Sequence, residues 1–416
     1  MLKKTFKALV ILLIAIALVA CGTTNNNNGD NNGNGNNNGN GNVTTGGETY
    51  DLTLWGSQDD QALLAELVED FKATDPDNTY NITLGVVGEP DAKDTVLGDL
   101  DASADVFAFA NDQIRDLVDA GALYEITLNK DAITAANMEG SIDAVTLDGK
   151  MYGYPFTADN GYFLYHNSEV ITAEDAETLE GVVAKAEAEG KKVYFDLSNG
   201  WYISSFFLGA GGTLELGADG KQVLDWNNER GVQVGEYLKE FAASPAFITG
   251  ADEILDAGIA DGSIVAAVSG TWKADLISEN FGEGYAATKL PTFNLDGEDV
   301  QLASFAGYKV YGVNTVTKHP EQAMALAEFL SNEASQLKRF EQRKLGPSNL
   351  AVADSDAVKE DVALSALAQQ GVYAHSQKDV VGTYWGPAEA FGTEIENGTA
   401  ADIQGLLDSM VEQIQQ

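Results

Sequence analysis

Three carboxylates and three tryptophans carry most of the chemistry open to this chain. Asp112, Asp159 and Glu389 lie far apart in a sequence of 416 residues. Carboxylates brought face to face could hydrolyse a glycosidic bond, one as acid and one as base or nucleophile. No local pattern sets one of these acids against another, and there is no GxSxG, HExxH or P-loop spacing. The alternative use of acids beside aromatic rings is recognition without reaction. The C–H faces of a sugar stack on indole, and its hydroxyls need fixed acceptors and donors. Trp201, Trp272 and Trp385 each stand next to glycine or polar residues, as such rings would, whereas Trp55 and Trp226 read as core or surface positions. The same acids and rings would also suit an ammonium ion such as a polyamine. His166, His319 and His375 are scattered and read as surface residues, not as bases or metal ligands. The expectation is a binding protein, not an enzyme, with no cofactor and no metal.

Cysteine usage and the first residues indicate where the chain works. Lys3, Lys4 and Lys7 precede an uninterrupted apolar run from Ala8 to Ala20, too short to span a bilayer and of signal-peptide length. It ends in Leu18-Val19-Ala20-Cys21-Gly22, which resembles a bacterial lipobox. Cys21, the only cysteine, is then the lipidation site, and neither a disulfide nor a thiolate zinc site can form. Residues 1–20 are read as a lipoprotein signal peptide. Residues 21–47, almost entirely Asn, Gly and Thr, are read as a disordered tether. The protein is expected on the outer face of the bacterial cell membrane, held there by lipid. With 64 acidic against 24 basic residues and a net charge of −40, a nucleic-acid partner is excluded, because phosphate binding needs Lys and Arg. Scattered acids of this kind keep a monomer soluble by repulsion.

The elements that must position these residues alternate between strand and helix. Tyr50–Trp55 reads as a strand, Ala62–Lys72 as a helix with Leu63, Leu64, Leu67, Val68 and Phe71 on one face, Asn81–Val87 as a strand, and Ala104–Phe109 as another. A helix from Asp112 ends at Gly121; Asp112 is also suited to cap it. This order argues for an α/β fold with a mainly parallel sheet and helices on both faces, in which ligands bind past the carboxyl ends of strands.

One stretch organises the rest. In Gly149–Tyr165, GKMYGYPFTADNGYFLY, an Asp148-Gly149 turn opens a strand that Pro155 ends, since it lacks an N–H for a central ladder. Polar residues Thr157, Asp159, Asn160 and Gly161 then interrupt the β pattern before Tyr162–Tyr165 resume it. Such a segment is either a hairpin with a polar loop or a strand leaving one domain, crossing a cleft and entering another.

Eight segments, in order, resemble the maltose-binding-protein-like class of extracellular solute-binding proteins, the ligand receptors of ABC importers. They are the strand ending in Trp55, ADVFAFANDQIRDLVDAGALYEIT, DGKMYGYPFTADNGYFLY, NGWYISSFFLGAGG, GSIVAAVSGTW, KLPTF, ASFAGYKVYGVN and PEQAMALAEFLSN. The resemblance implies two discontinuous α/β lobes, residues 48–158 with 306–355 and residues 159–305 with 356–416. Three hinge crossings near Ala158–Gly161, Phe305–Tyr308 and Ala351–Lys359 join them, with the ligand in the cleft between. By position it implies ligand contacts at Ser57, Gln58, Asp59, Phe109, Asp112, Asp159, Asn199, Trp201, Trp272, Trp385 and Glu389. Gln113 stands where a basic residue can occur in the family. The ligand implied is a maltose or maltodextrin-type oligosaccharide, delivered to the permease subunits of an ABC transporter. Another sugar or a polyamine is the alternative.

Overall fold

The computed structural model describes residues 47–416. The leader, Cys21 and the tether as far as residue 46 lie outside the described residues. Among those described, no helix is long and apolar enough to cross a membrane.

Two sheets, each with its own core, divide the molecule. The first runs in the order 374–376, 304–313, 106–110, 49–56, 79–86, and strand Tyr154–Gly161 pairs with Ser304–Val313 beside this path. Strand Thr49–Gly56 buries alternate residues Leu52, Leu54 and Gly56, as a sheet with one face on a core requires. The helix Gln61–Thr74 buries the five apolar residues read from the sequence, spaced to form one stripe. Its neighbour Val106–Ala110 is buried throughout and sits at the middle of the sheet. The helix Ile114–Asp119 starts later than expected, behind a 3₁₀ turn Asn111–Gln113, and stops before Gly121, whose φ of +69° ends it.

The second sheet runs 247–248, 192–194, 264–269, 163–167, 285–288. Its core gathers residues from Tyr162 to Phe305 and from Val380 to Ile414, separate from the first core, which draws on residues 52–156 and 310–330. Both sheets are mixed rather than mainly parallel. Thr49–Gly56 pairs in parallel with Thr79–Val86 and with Val106–Ala110, but Ser304–Val313 runs antiparallel to Val106–Ala110, and Phe163–Asn167 runs antiparallel to both of its neighbours. The antiparallel strands are those that arrive by a return from the other sheet, not through a βαβ crossover.

The expected break at Pro155 is absent. Strand Tyr154–Gly161 is continuous, with Pro155 opposite Val310. It pairs only with Ser304–Val313, so it lies where a missing N–H costs little. Register shifts at Gly307/Lys309 and Lys309/Val310 absorb the irregularity. The Asp148-Gly149 turn forms as read, with positive φ at both residues between Thr146–Leu147 and Lys150–Met151. After Gly161 the chain passes to the second sheet at Phe163. It returns at Ser304, crosses again beyond the helices that end at Lys359, and comes back once more for Ala374–Ser376. The fold is thus two α/β lobes joined by crossings, with the cleft between them.

Candidate ligand cleft

Loops at the carboxyl ends of strands from both sheets carry the candidate groups. From the second sheet, Trp201 opens the helix Gly200–Gly209 and Trp272 follows strand Ile264–Ser269. Both are half-buried, and their rings lie 5.9 Å apart at 38°. Tyr162 packs edge-on against Trp201 at 4.5 Å. Trp272 needs glycine beside it: a Cβ at Gly270 would fall within 2.1–2.6 Å of the indole ring. Trp385, at the start of helix Trp385–Glu396, is half-buried against Phe305 at 6.0 Å and Tyr384 at 4.9 Å. Gly200 lets that helix approach, since a Cβ there would meet the Ala388 methyl at 3.1 Å and the Trp385 carbonyl at 3.3 Å. Asn199 is exposed and caps its helix, accepting from the Trp201 N–H at 3.0 Å.

From the first sheet comes Asp112, just past Val106–Ala110. Burial pushes its carboxyl up to about 7, against the hydrogen bond donated by Gln377 and the charge of Lys93. The Gln377 Nε2 donates to Asp112 Oδ1 at 2.8 Å, while Gln377 Oε1 accepts from Trp201 Nε1 at 2.9 Å and from Asn160 Nδ2 at 3.1 Å. Asp112 and Trp201, far apart in sequence and anchored to different sheets, are thereby joined through one buried side chain.

Other sequence-derived positions fall elsewhere. Phe109 is wholly buried in the first core, 5.7 Å from Phe107, and so does not line the cleft. Asp159 is 1% exposed and acts as a strut: Oδ2 accepts from Thr271 Oγ1 at 2.7 Å and from the Gly346 N–H at 2.6 Å, while Oδ1 has no partner. It ties the first crossing to residue 346 and to the turn that holds Trp272. Asp59 is exposed and 3.6 Å from Arg343. The buried carboxylate of that turn is its neighbour Asp60, paired with Arg339 and with Arg343 Nε at 3.3 Å. Burial would raise the Asp60 carboxyl, but Arg339, Lys309 and Arg343 hold it below its ordinary value. Ser57 accepts from the Asp60 N–H at 3.3 Å; Gln58 and Glu389 are exposed. His166 is not a surface residue: it is 4% exposed, with Nδ1 2.8 Å from the Ile171 carbonyl.

Lys309 was not anticipated. It is half-buried, with its ammonium 5.3 Å from the centre of the Trp272 ring. Burial would lower its pKa, but Glu89, Asp159 and Asp60 hold it above the ordinary value. Among the described residues it makes no ion pair within 4 Å, although Glu89, 6% exposed, also faces this region. A lysine inside the apolar run GYKVYG was the available signal. A cavity of about 460 Å³ opens at the crossings, lined by residues 158–161 and 304–308 with Pro347 and Leu364; none of the three tryptophans lines it. No cluster of three or more His, Cys, Asp or Glu suited to a metal ion occurs among the described residues.

Two α/β lobes joined by crossings, with strand-end groups from both brought together at Gln377, define a periplasmic-binding-protein-like fold. The model of the bacterial extracellular solute-binding protein family matches residues 66–366, and the chain belongs to that family. It is 25% identical over 425 residues to a galactooligosaccharide-binding protein of Bacillus subtilis (strain 168), covering 98% of this chain and 95% of that one. It is 26% identical over 392 residues to the maltodextrin-binding protein MdxE of the same organism, covering 89% and 86%. A solved structure with acarbose superposes with a TM-score of 0.81 at 31% identity, covering 88% of this chain and 99% of the other.

Proposed function

We propose that this chain is the lipid-anchored receptor of an ABC importer that binds maltodextrin-type oligosaccharides between its lobes and carries out no chemistry on them. The observation that carries the reading is the half-buried pair Trp201 and Trp272, 5.9 Å apart, of which Trp201 is joined to Asp112 through Gln377. Indole faces take the C–H surfaces of pyranose rings, and a carboxylate oxygen left free by Gln377 accepts their hydroxyls. Trp385, Lys309 and Glu89 extend the contact surface, and Asn199 sets the Trp201 backbone. Cys21 carries the lipid, and the residues up to 47 let the lobes reach the permease. Similarity to MdxE supports the maltodextrin assignment.

A second reading, a galactooligosaccharide ligand, has an observation in its favour: the relative that covers 98% of this chain is named for that ligand. Calorimetric titration separates the two. Maltotriose is expected to bind with a Kd on the order of micromolar, about −8 kcal/mol. Heat from a galactooligosaccharide and none from maltotriose would transfer the assignment, and heat from spermidine alone would overturn both sugar readings. Unchanged maltotriose after prolonged incubation, read by chromatography, is the expected result for a receptor; products would make it an enzyme.

A further inference from the structure

Gln377 follows the short strand Ala374–Ser376, which pairs in parallel with Ser304–Ala306 at the second crossing. It is 4% exposed although its neighbours Ser376 and Asp379 are exposed. Every hydrogen bond its carboxamide makes is to one of three residues: Nε2 donates to Asp112 Oδ1, and Oε1 accepts from Trp201 Nε1 and Asn160 Nδ2. Chemistry fixes the orientation of the amide, because an indole N–H can only donate and so must face the Gln377 carbonyl oxygen. The space it fills is kept open by a glycine. A Cβ at Gly307 would lie 2.9 Å from Asn111 Oδ1 and 3.0 Å from both Asn160 Nδ2 and Gln377 Oε1. Three amides therefore converge on one crossing, and Asn111 Oδ1 accepts from the Tyr308 N–H there at 2.8 Å.

We infer that Gln377 is the positioning residue of the cleft: when the lobes are together, its carboxamide sets the Trp201 ring face and the free oxygen of Asp112 at one separation, so that groups from two lobes meet a sugar as one surface. The inference rests on the reading of the cleft as a sugar site. With its N–H held, the indole cannot turn edge-on toward the ligand, and its face remains available. With Oδ1 occupied, Asp112 offers Oδ2 in one direction. A ligand then meets groups already ordered, which reduces the entropy lost on binding. Lys93 and Asp116 are the charges that act on Asp112 beyond this node, and Lys378 and Asp379 flank Gln377 on its own loop.

The test uses the full chain and two variants, Gln377→Ala and Gln377→Glu, with maltotriose and a galactooligosaccharide as probes. The Trp201 indole ¹H–¹⁵N resonance, assigned with Trp201→Phe, reports the contact without any ligand. In Q377A this resonance is expected to move toward that of a free indole and to exchange faster with water, and the binding affinity to fall about tenfold. In Q377E at pH 8 the carboxylate still accepts from the indole, so the resonance returns toward the parent position. The affinity stays low because two carboxylates now oppose each other at Asp112. A moved resonance with parental affinity overturns the positioning role, and lost affinity with an unmoved resonance overturns its route through Trp201. If the parent binds neither sugar, the reading of the ligand fails, and the positioning role, which depends on it, fails with it; the indole resonance then judges only the Gln377 contact.

Discussion

Identical residue types in this chain do different work, and their surroundings decide which. Trp226 is 1% exposed and lies flat on Phe207, 4.6 Å between centroids and 4° apart. Trp272 and Trp385 are half-buried, and the proposed sugar site uses their uncovered surface. Trp226→Ala should therefore lower stability by about 3–5 kcal/mol in denaturant unfolding. Trp272→Ala and Trp385→Ala should each weaken sugar binding by about 1–3 kcal/mol with little change in the unfolding midpoint. Parental titration curves for both cleft variants would remove those rings from the site. Asp112 supplies a second residue-scale expectation. Burial lifts its carboxyl from 3.8 to about 7, so the fold favours the protonated form. Its contribution to stability is complete below pH about 4 and is lost as pH rises through 7. Melting temperature should fall between pH 4 and pH 7 more steeply for the parent than for Asp112→Asn, and parallel slopes would mark Asp112 as an ordinary carboxylate. Phe109, by contrast, was placed beside Asp112 on position alone. Residues at a strand end alternate between core and cleft, and only the neighbouring sheet decides which face is which.

At the scale of elements, the turn after the first strand is fastened to a helix from much later in the chain. Asp60 pairs with Arg339 of helix Glu333–Arg343; the guanidinium also donates to Tyr311 Oη at 2.8 Å and lies 4.6 Å from the Phe156 ring centre. Both charges are almost fully buried. Asp60→Ala leaves an uncompensated guanidinium in the core and should cost about 3–5 kcal/mol in urea unfolding. Asp59→Ala, one residue earlier and exposed, should cost less than about 0.5 kcal/mol. Equal losses would make the pair an ordinary surface bridge. The same turn shows what was legible in sequence. Periodicity located the strand Thr49–Gly56 and the helix Gln61–Thr74 to within two residues, because their burial patterns repeat locally. It could not tell Asp59 from Asp60, since the deciding partner is 279 residues away. Gln377 was illegible for the same reason: its partners are residues 112, 160 and 201. Pro155 is unfit for a central ladder, but the break expected there does not occur because its strand pairs on one side only, which nothing local shows.

For the molecule as a whole, the separation of the two cores sets the energetics of binding. Neither core shares its interior with the other, so relative movement of the lobes breaks little apolar packing. What resists movement is concentrated at the crossings: the Asp159 strut to Gly346 and Thr271, and the amides gathered on Gly307. A ligand touching Trp272 from one lobe and Asp112 from the other gains contacts only when both are near, and so favours the closed arrangement by its differential affinity. Small-angle scattering should show a smaller radius of gyration with saturating sugar. The same sugar at 100 times its Kd should add about 2.7 kcal/mol to unfolding free energy. Salt separates closure from simple binding. The chain carries a net charge of −40, and bringing two acidic bodies together is opposed by a repulsion that salt screens. Affinity for a neutral sugar should therefore rise between low and moderate ionic strength if the lobes close on it. An affinity indifferent to salt, together with an unchanged scattering profile, would mean that the sugar sits in a cleft that does not move.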